Sequence, residues 1–279
     1  MPTEAGGESK SGNPDWVQHG IDAAVPSSAR MYDYFLDGFH NFAADREMAN
    51  KIEQAMPSVR DGSRVNRAFL RRAVLFMLSS GIRQFLDIGS GIPTAGNVHE
   101  IAQRADPECR IVYVDKDPVV VAHSELLLRG NDRAVAIQAN LRDVENVLNH
   151  PQTRRLLDFD QPIGLLMVAL LHFVPDSWDP VGILAQYRDR LAPGSYLAAS
   201  QITGDSNVPG LDEVLRLHRS TPEPLYPRSR AEVLRFFAGF ELVEPGLVGC
   251  GFWRPSGPGD ISDNAEMNLL PHGGVGRKL

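Results

Sequence analysis

The sequence predicts a doubly wound α/β fold, a mostly parallel sheet of seven strands preceded by an N-terminal helical cap. Three observations carry that expectation. From residue 84 onward, short apolar runs of strand length alternate with helical periodicities, the pattern that builds parallel sheets through crossover helices. The run Ile163–Leu171 is apolar throughout, as a strand covered on both faces must be. The stretch FLDIGSGIPT (85–94) ends an apolar strand in an acid and two closely spaced glycines, the kind of turn a ligand approaches at the carboxyl end of a strand.

The elements follow in order. Residues 1–26 are polar and rich in Gly, Ser and Pro, and read as a flexible leader. Residues 27–80 read as the helical cap, with Val65, Ala68, Phe69, Ala73, Phe76 and Met77 on one face. Gly81 ends that helix, and residues 81–279 are expected to form the α/β domain. QFLDIG is the first strand, followed by a helix over 95–105 carried by Val98, Ile101, Ala102 and Ala105. RIVYVD is the second, and Asp117 with Pro118 opens the next helix as N-cap and first turn. AVAIQA and IGLLMVALL are the third and fourth strands. A helix through Tyr187 and Leu191 stops at Pro193-Gly194, and SYLAASQIT is the fifth strand. Ser229 and Glu232 fit a capping box for a helix running on through Phe237. ELVEPGLV and GGVGRKL supply the last two strands.

Charge and composition narrow the function. The formal charge of −7 is spread along the chain without a block of like charges, which argues against a nucleic-acid surface. Cys109 and Cys250 are the only cysteines and lie far apart, so a reduced, cytoplasmic protein is expected. The leader holds no apolar signal segment. The longest apolar run is about half of what a membrane span needs. Neither H-x-x-x-H nor C-x-x-C spacing occurs among the eight histidines and two cysteines, so no metal is expected.

In an open α/β sheet the first strand's end, Asp87–Gly91, and the second's, Asp115, are neighbours. A carboxylate at Asp115 accepts from both hydroxyls of a ribose. Dehydrogenase loops carry a third glycine where this chain has Thr94, and an apolar residue where it has Asp87. An acid there repels a pyrophosphate and suits an ammonium group. No G-K-[ST] follows, which removes the phosphate-loop reading.

Taken together, LDIGSG, VYVDKD, QANLRD, LLMVALLHFVPD and LAPGSYLAAS resemble the successive motifs of the class I, Rossmann-like S-adenosylmethionine-dependent methyltransferases. SARMYDYFLDGFHNFAADR, VNRAFLRRAV and the terminal GVGRK resemble one bacterial subfamily described as a domain of unknown function. The resemblance implies S-adenosyl-L-methionine as cofactor and direct in-line methyl transfer to a small-molecule acceptor. It implies cofactor contacts from Asp87, Gly89, Ser90, Gly91 and Thr94 in the loop, and from Asp115 and Lys116 after the second strand. Asn140, Leu141 and Asp143 would face the adenine, with an N-cap as the other role of Asp143. Ala169 follows the fourth strand. Tyr34, Asn41, Arg46 and Asn66 would belong to a lid over the cofactor, with the Tyr32 ring near the sulfonium. His172, at the mouth of the cleft, is either a general base or a packing residue. Phe173, Trp178, Phe236, Phe237 and Trp253 are either pocket lining or core. Three alternatives stay open: a cofactor-binding protein without catalysis, a nicotinamide-dependent dehydrogenase, and another reaction of the same cofactor. The acceptor's identity and the oligomeric state, a homodimer included, are open too.

Overall fold

The structure, a computed structural model, describes residues 22–93 and 96–279. Most of the expected leader therefore lies outside the described residues, as does Thr94. Five parallel strands form the core of the sheet: β1 (Gln84–Ile88), β2 (Arg110–Asp115), β3 (Ala134–Gln138), β4 (Gly164–Met167) and β5 (Tyr196–Ile202). The C-terminal β8 (Pro271–Lys278) runs antiparallel between β5 and β6 (Phe240–Leu242), so the order is β3-β2-β1-β4-β5-β8-β6. The chain winds outward from β1 to β3, then returns to place β4 on the other side of β1. That reversal opens a crevice outside the carboxyl ends of β1 and β4.

Among the described residues the sheet has eight strands where seven were expected. ELVEPGLV does not run straight: the Gly246 N–H donates to Val243 O at 2.8 Å, and Pro245 has no N–H for a ladder. The stretch divides into β6 and a two-residue β7 (Val248–Gly249), both antiparallel to β8. Two other elements are shorter than their apolar runs. β4 stops at Met167, and a 3₁₀ turn occupies Leu171–Phe173. The helix opened by Ser229 ends at Leu234 and passes into a 3₁₀ turn over Arg235–Phe237.

Side chains alternate across the sheet as the pleat requires. Phe85, Ile111 and Tyr113 share a core with α3 (Val59–Ser79) and α4 (Val98–Ala105). Leu86, Ile88, Val112 and Val114 share another with α6 (Val144–Asn149), α7 (Pro151–Leu156) and α8 (Pro180–Arg190). Residues 27–80 consequently divide. α3 covers a face of the sheet, whereas α1 (Ser28–Phe35) and α2 (Ala43–Ala55) pack with α9 (Leu211–His218), Met267 and Leu270 in a third core.

Polar ties fasten that third layer to the end of β2. Arg30 Nε donates to Asp45 at 2.7 Å, both buried, and Arg30 Nη1 lies 3.3 Å from Asp117. Ser27 Oγ donates to Asp117 at 2.8 Å, and the Ser28 N–H donates to Glu223 at 2.7 Å. Lys116 Nζ reaches Glu223 at 2.6 Å. Asp117 also caps α5 (Pro118–Leu127), accepting from the Val119 N–H, with Pro118 in the first turn.

Candidate functional site

A cavity of ≈ 240 Å³ opens in the crevice. One wall is the sheet: Asp87–Gly91 at the end of β1, Asp115 and Lys116 at the end of β2, Asn140 and Leu141 after β3, and Ala169 and Leu170 after β4. The opposite wall is α3 and the third layer.

The glycine loop is braced from behind. The N–H groups of Gly89 and Ser90 donate to Val114 O at 2.8 and 3.2 Å, and that of Gly91 donates to Asp115 Oδ2 at 3.0 Å. Three successive amides that a phosphate nest would use are thereby committed to β2. Gly89 has φ +69°, and a Cβ there would stand 2.5 Å from Leu170 Cδ1, so both conformation and space require glycine. Asp115 Oδ1 accepts from the Asp117 N–H at 2.9 Å. Burial pushes the Asp115 carboxyl up to about 6, against the backbone N–H bonds of Asp117 and Gly91. Asp87, also buried, is pushed up to about 7, with the positive Arg67 lowering it and Asp115 raising it.

His172 is buried on the cavity wall, and its Nδ1 has no partner. Desolvation, with His218 and Arg228 nearby, pushes its pKa down to about 3, so the imidazole is neutral. Tyr32 also lines the cavity, within a hydrogen-bond chain that crosses the molecule. The Ala169 N–H donates to Ser200 Oγ (2.8 Å), which donates to Asn66 Oδ1 (2.6 Å). Asn66 Nδ2 donates to the Tyr32 hydroxyl (2.9 Å), which donates to Ser63 O (3.1 Å). Burial raises the Tyr32 pKa above its ordinary value. The chain also holds Ala169 at φ +56°, a left-handed conformation rare for alanine.

Asn140 lines the cavity while its Oδ1 accepts from the Arg142 N–H, and Leu141 O accepts from the Tyr187 hydroxyl. Asp143 instead caps α6 through the Asn146 N–H and stands outside the lining. Tyr34, Asn41 and Arg46 are not brought to the cavity either. The Tyr34 hydroxyl donates to Asn50, and the Arg60 guanidinium lies 4.6 Å from its ring centre. Asn41 donates to buried Asp33 and accepts from Arg46, so both brace the turn after α1. Phe173 and Trp178 line the cavity, whereas Phe236, Phe237 and Trp253 are core.

The structure adds Ser200 and Gln201 to the wall and places Arg67 there, one of the polar residues that the pre-sheet helices hold together with Tyr32 and Asn66. Arg67 Nη2 donates to Asn97 Oδ1 at 3.1 Å, and its buried Nε has no partner. A signal for Arg67 exists: Ser63, Asn66, Arg67 and Leu70 form one stripe of α3 at spacings of three and four. Ser200 closes the LAPGSYLAAS stretch, whereas Gln201 sits in an apolar strand without a motif of its own. Among the described residues, no group of three or more His, Cys, Asp or Glu is placed to hold a metal ion. No described helix is long and apolar enough to cross a membrane.

A family model for S-adenosyl methyltransferase matches residues 14–279. The chain belongs to that family. Its cofactor is S-adenosyl-L-methionine. A presumed methyltransferase from Thermobifida fusca YX is 39% identical, with 95% of this chain and 99% of that one covered, at a TM-score of 0.88. A DUF574 family protein from Streptomyces avermitilis MA-4680 is 38% identical over 92% and 99%, at a TM-score of 0.89. The mitomycin 7-O-methyltransferase MmcR shares the fold at 16% identity, a TM-score of 0.52, and 92% and 74% coverage. No curated protein matches the chain.

Proposed function

We propose that this chain transfers a methyl group from S-adenosyl-L-methionine to a small-molecule acceptor held under the α1, α2 and α9 layer, in a reduced, cytoplasmic setting. The observation that carries the reading is the pair Asp87 and Asp115 at one end of an enclosed cavity, beside a glycine loop whose amides are already tied to β2. That arrangement offers acceptors to hydroxyls and ammonium, not donors to a pyrophosphate.

The residues fit the cofactor piece by piece. Asp115 keeps lone pairs for two ribose hydroxyls, and Asp87 faces where an ammonium belongs. The partnerless Arg67 Nε and Ser90 Oγ are buried polar atoms that a carboxylate would satisfy. Asn140 and Leu141 stand at the end of β3, where the adenine would lie. Bound S-adenosyl-L-methionine supplies an electrophilic methyl that a nucleophile takes in line, with the electron pair of the broken bond left on sulfur. The protein excludes water, orients the acceptor and keeps His172 neutral as a hydrogen-bonding group at the β4 end. With its pKa near 3, His172 is a weak base. The nucleophile therefore keeps its proton through the transfer, and the methylated product sheds it to bulk water on leaving the site. Tyr32, its proton bound to Ser63 O, is a positioning residue.

Weak basicity also favours a second reading, a binding protein without turnover. Calorimetric titration with S-adenosyl-L-methionine, its demethylated product and NAD tests the first. Saturable binding of the first two is expected, weakened about a hundredfold in Asp115→Ala through two lost charge-assisted hydrogen bonds. Saturable binding of NAD in their place overturns it. Formation of the demethylated product with an acceptor present separates enzyme from binding protein.

A further inference from the structure

The cavity is divided by charge. The charged side chains that line it are Arg67, Asp87, Asp115, Lys116 and Glu223. All five belong to the glycine-loop end or to the tie between β2 and α1. The other end is walled by Met31, Phe35, Ile52, Met56, Leu211 and Met267, with no charged side chain among the described residues that line it. Methionines and a phenylalanine make an apolar, adaptable surface.

Polar side chains interrupt that surface, and two of them, Gln201 and His172, each keep a buried polar atom without a partner. Gln201 is 1% exposed, and its Nε2 donates to Tyr226 O at 2.8 Å. This bond fixes the amide's orientation. Gln201 Oε1 then has no partner, although it is buried on the cavity wall. His172 is braced against the same residue, its carbonyl accepting from the Tyr226 N–H at 2.7 Å, and its Nδ1 is likewise unpaired. Buried polar atoms without partners cost free energy that a bound group of matching polarity returns, and for Gln201 Oε1 that group is a donor.

We infer that the acceptor is an uncharged, largely apolar molecule with a hydroxyl or N–H that donates to Gln201 Oε1, and that Gln201 is the residue that selects it. Ionic acceptors are excluded because a carboxylate, phosphate or ammonium at this end would be desolvated without a counter-charge. A molecule of the same shape without the donor leaves Oε1 unpaired and binds less well. The inference rests on the cavity being the methyl-transfer site proposed above.

The test uses the full-length protein saturated with S-adenosylhomocysteine, whose own affinity is measured first. Matched alcohols, methyl ethers and carboxylates on phenyl, naphthyl and octyl bodies are then titrated. On at least one body the alcohol is expected to bind about tenfold or more tightly than its ether, and the carboxylate not at all. In Gln201→Leu the alcohol and ether become equal while S-adenosylhomocysteine affinity is retained. If S-adenosylhomocysteine fails to bind, the proposed function falls. If it binds but no alcohol does, or alcohols and ethers bind alike, or a carboxylate binds best, the acceptor inference is overturned and the cofactor reading stands.

Discussion

Asp87 and Asp115 set the pH behaviour of the site. Both carboxyls are raised well above the ordinary carboxylate range, to about 7 and about 6, because burial disfavours their charge. The ligand-free folded chain thus holds protons that the unfolded chain releases. Their contribution to stability is fully present below about pH 4 and lost as pH rises through 6 to 7. In the proposed binding mode cofactor binding runs the other way, since ribose and ammonium would both be met by ionised carboxylates. Affinity for S-adenosyl-L-methionine is expected to climb between pH 5.5 and 7.5 and to level off above, with protons released on binding. Calorimetry in buffers of different ionisation heat reads this directly, and Asp87→Asn should reduce the release. An affinity independent of pH would show that neither carboxylate meets the ligand. His172, with its pKa near 3, contributes no step in this window. At this scale Asp87, Gly89, Gly91 and Asp115 were legible as a group, since each sits in a local motif, and the structure brings them to the wall of one cavity. Tyr34, Asn41 and Arg46 stand off the cavity wall, because their polar groups pair locally with Asn50, Asp33 and one another.

The elements around the loop work as one brace. β1, the loop and β2 are joined by the amides of Gly89, Ser90 and Gly91, and Leu170 closes from the β4 side. Gly89→Ala must hold a non-glycine residue at φ +69° and displace Leu170, at a cost of about 2 kcal/mol or more. Melting about 4 °C or more lower and weaker cofactor binding are expected. Gly81→Ala, at φ +94° with nothing within 4 Å of the added Cβ, should cost less and leave binding unchanged. Equal losses in the two variants would remove the argument for close approach at Gly89. The same scale accounts for the shortened β4. Its apolar run continues past Met167, but Ala169 is held out of extended conformation by Ser200 Oγ, an interaction from another strand.

Across the whole molecule, a layer built from α1, α2 and α9 is tied to the sheet through Arg30, Ser27, Ser28, Lys116 and Glu223. If that layer is a lid, loading the cavity steadies it. The turn between α1 and α2 exposes Phe39 almost completely, at 92%, which offers a cleavage site to chymotrypsin. Cleavage there requires local opening. S-adenosylhomocysteine is expected to slow it several-fold, as a ligand that binds only the closed form must. Unchanged cleavage at saturating ligand would mean that the layer is a fixed wall.

Local chemistry alone determined the α/β class, the five parallel strands and the paired carboxylates beside the glycine turn, because strand periodicity, N-caps such as Asp117 and tight turns act over a few residues. The tertiary structure decided the rest. It split ELVEPGLV into two strands by pairing both parts with β8. It assigned α3 to the sheet and α1 and α2 to the layer beyond it. It also brought Gln201, which no motif marks, to the wall of the same cavity as His172 and Arg67. Those outcomes depend on which distant surfaces bury one another, and burial between segments far apart in the chain leaves no periodicity to read.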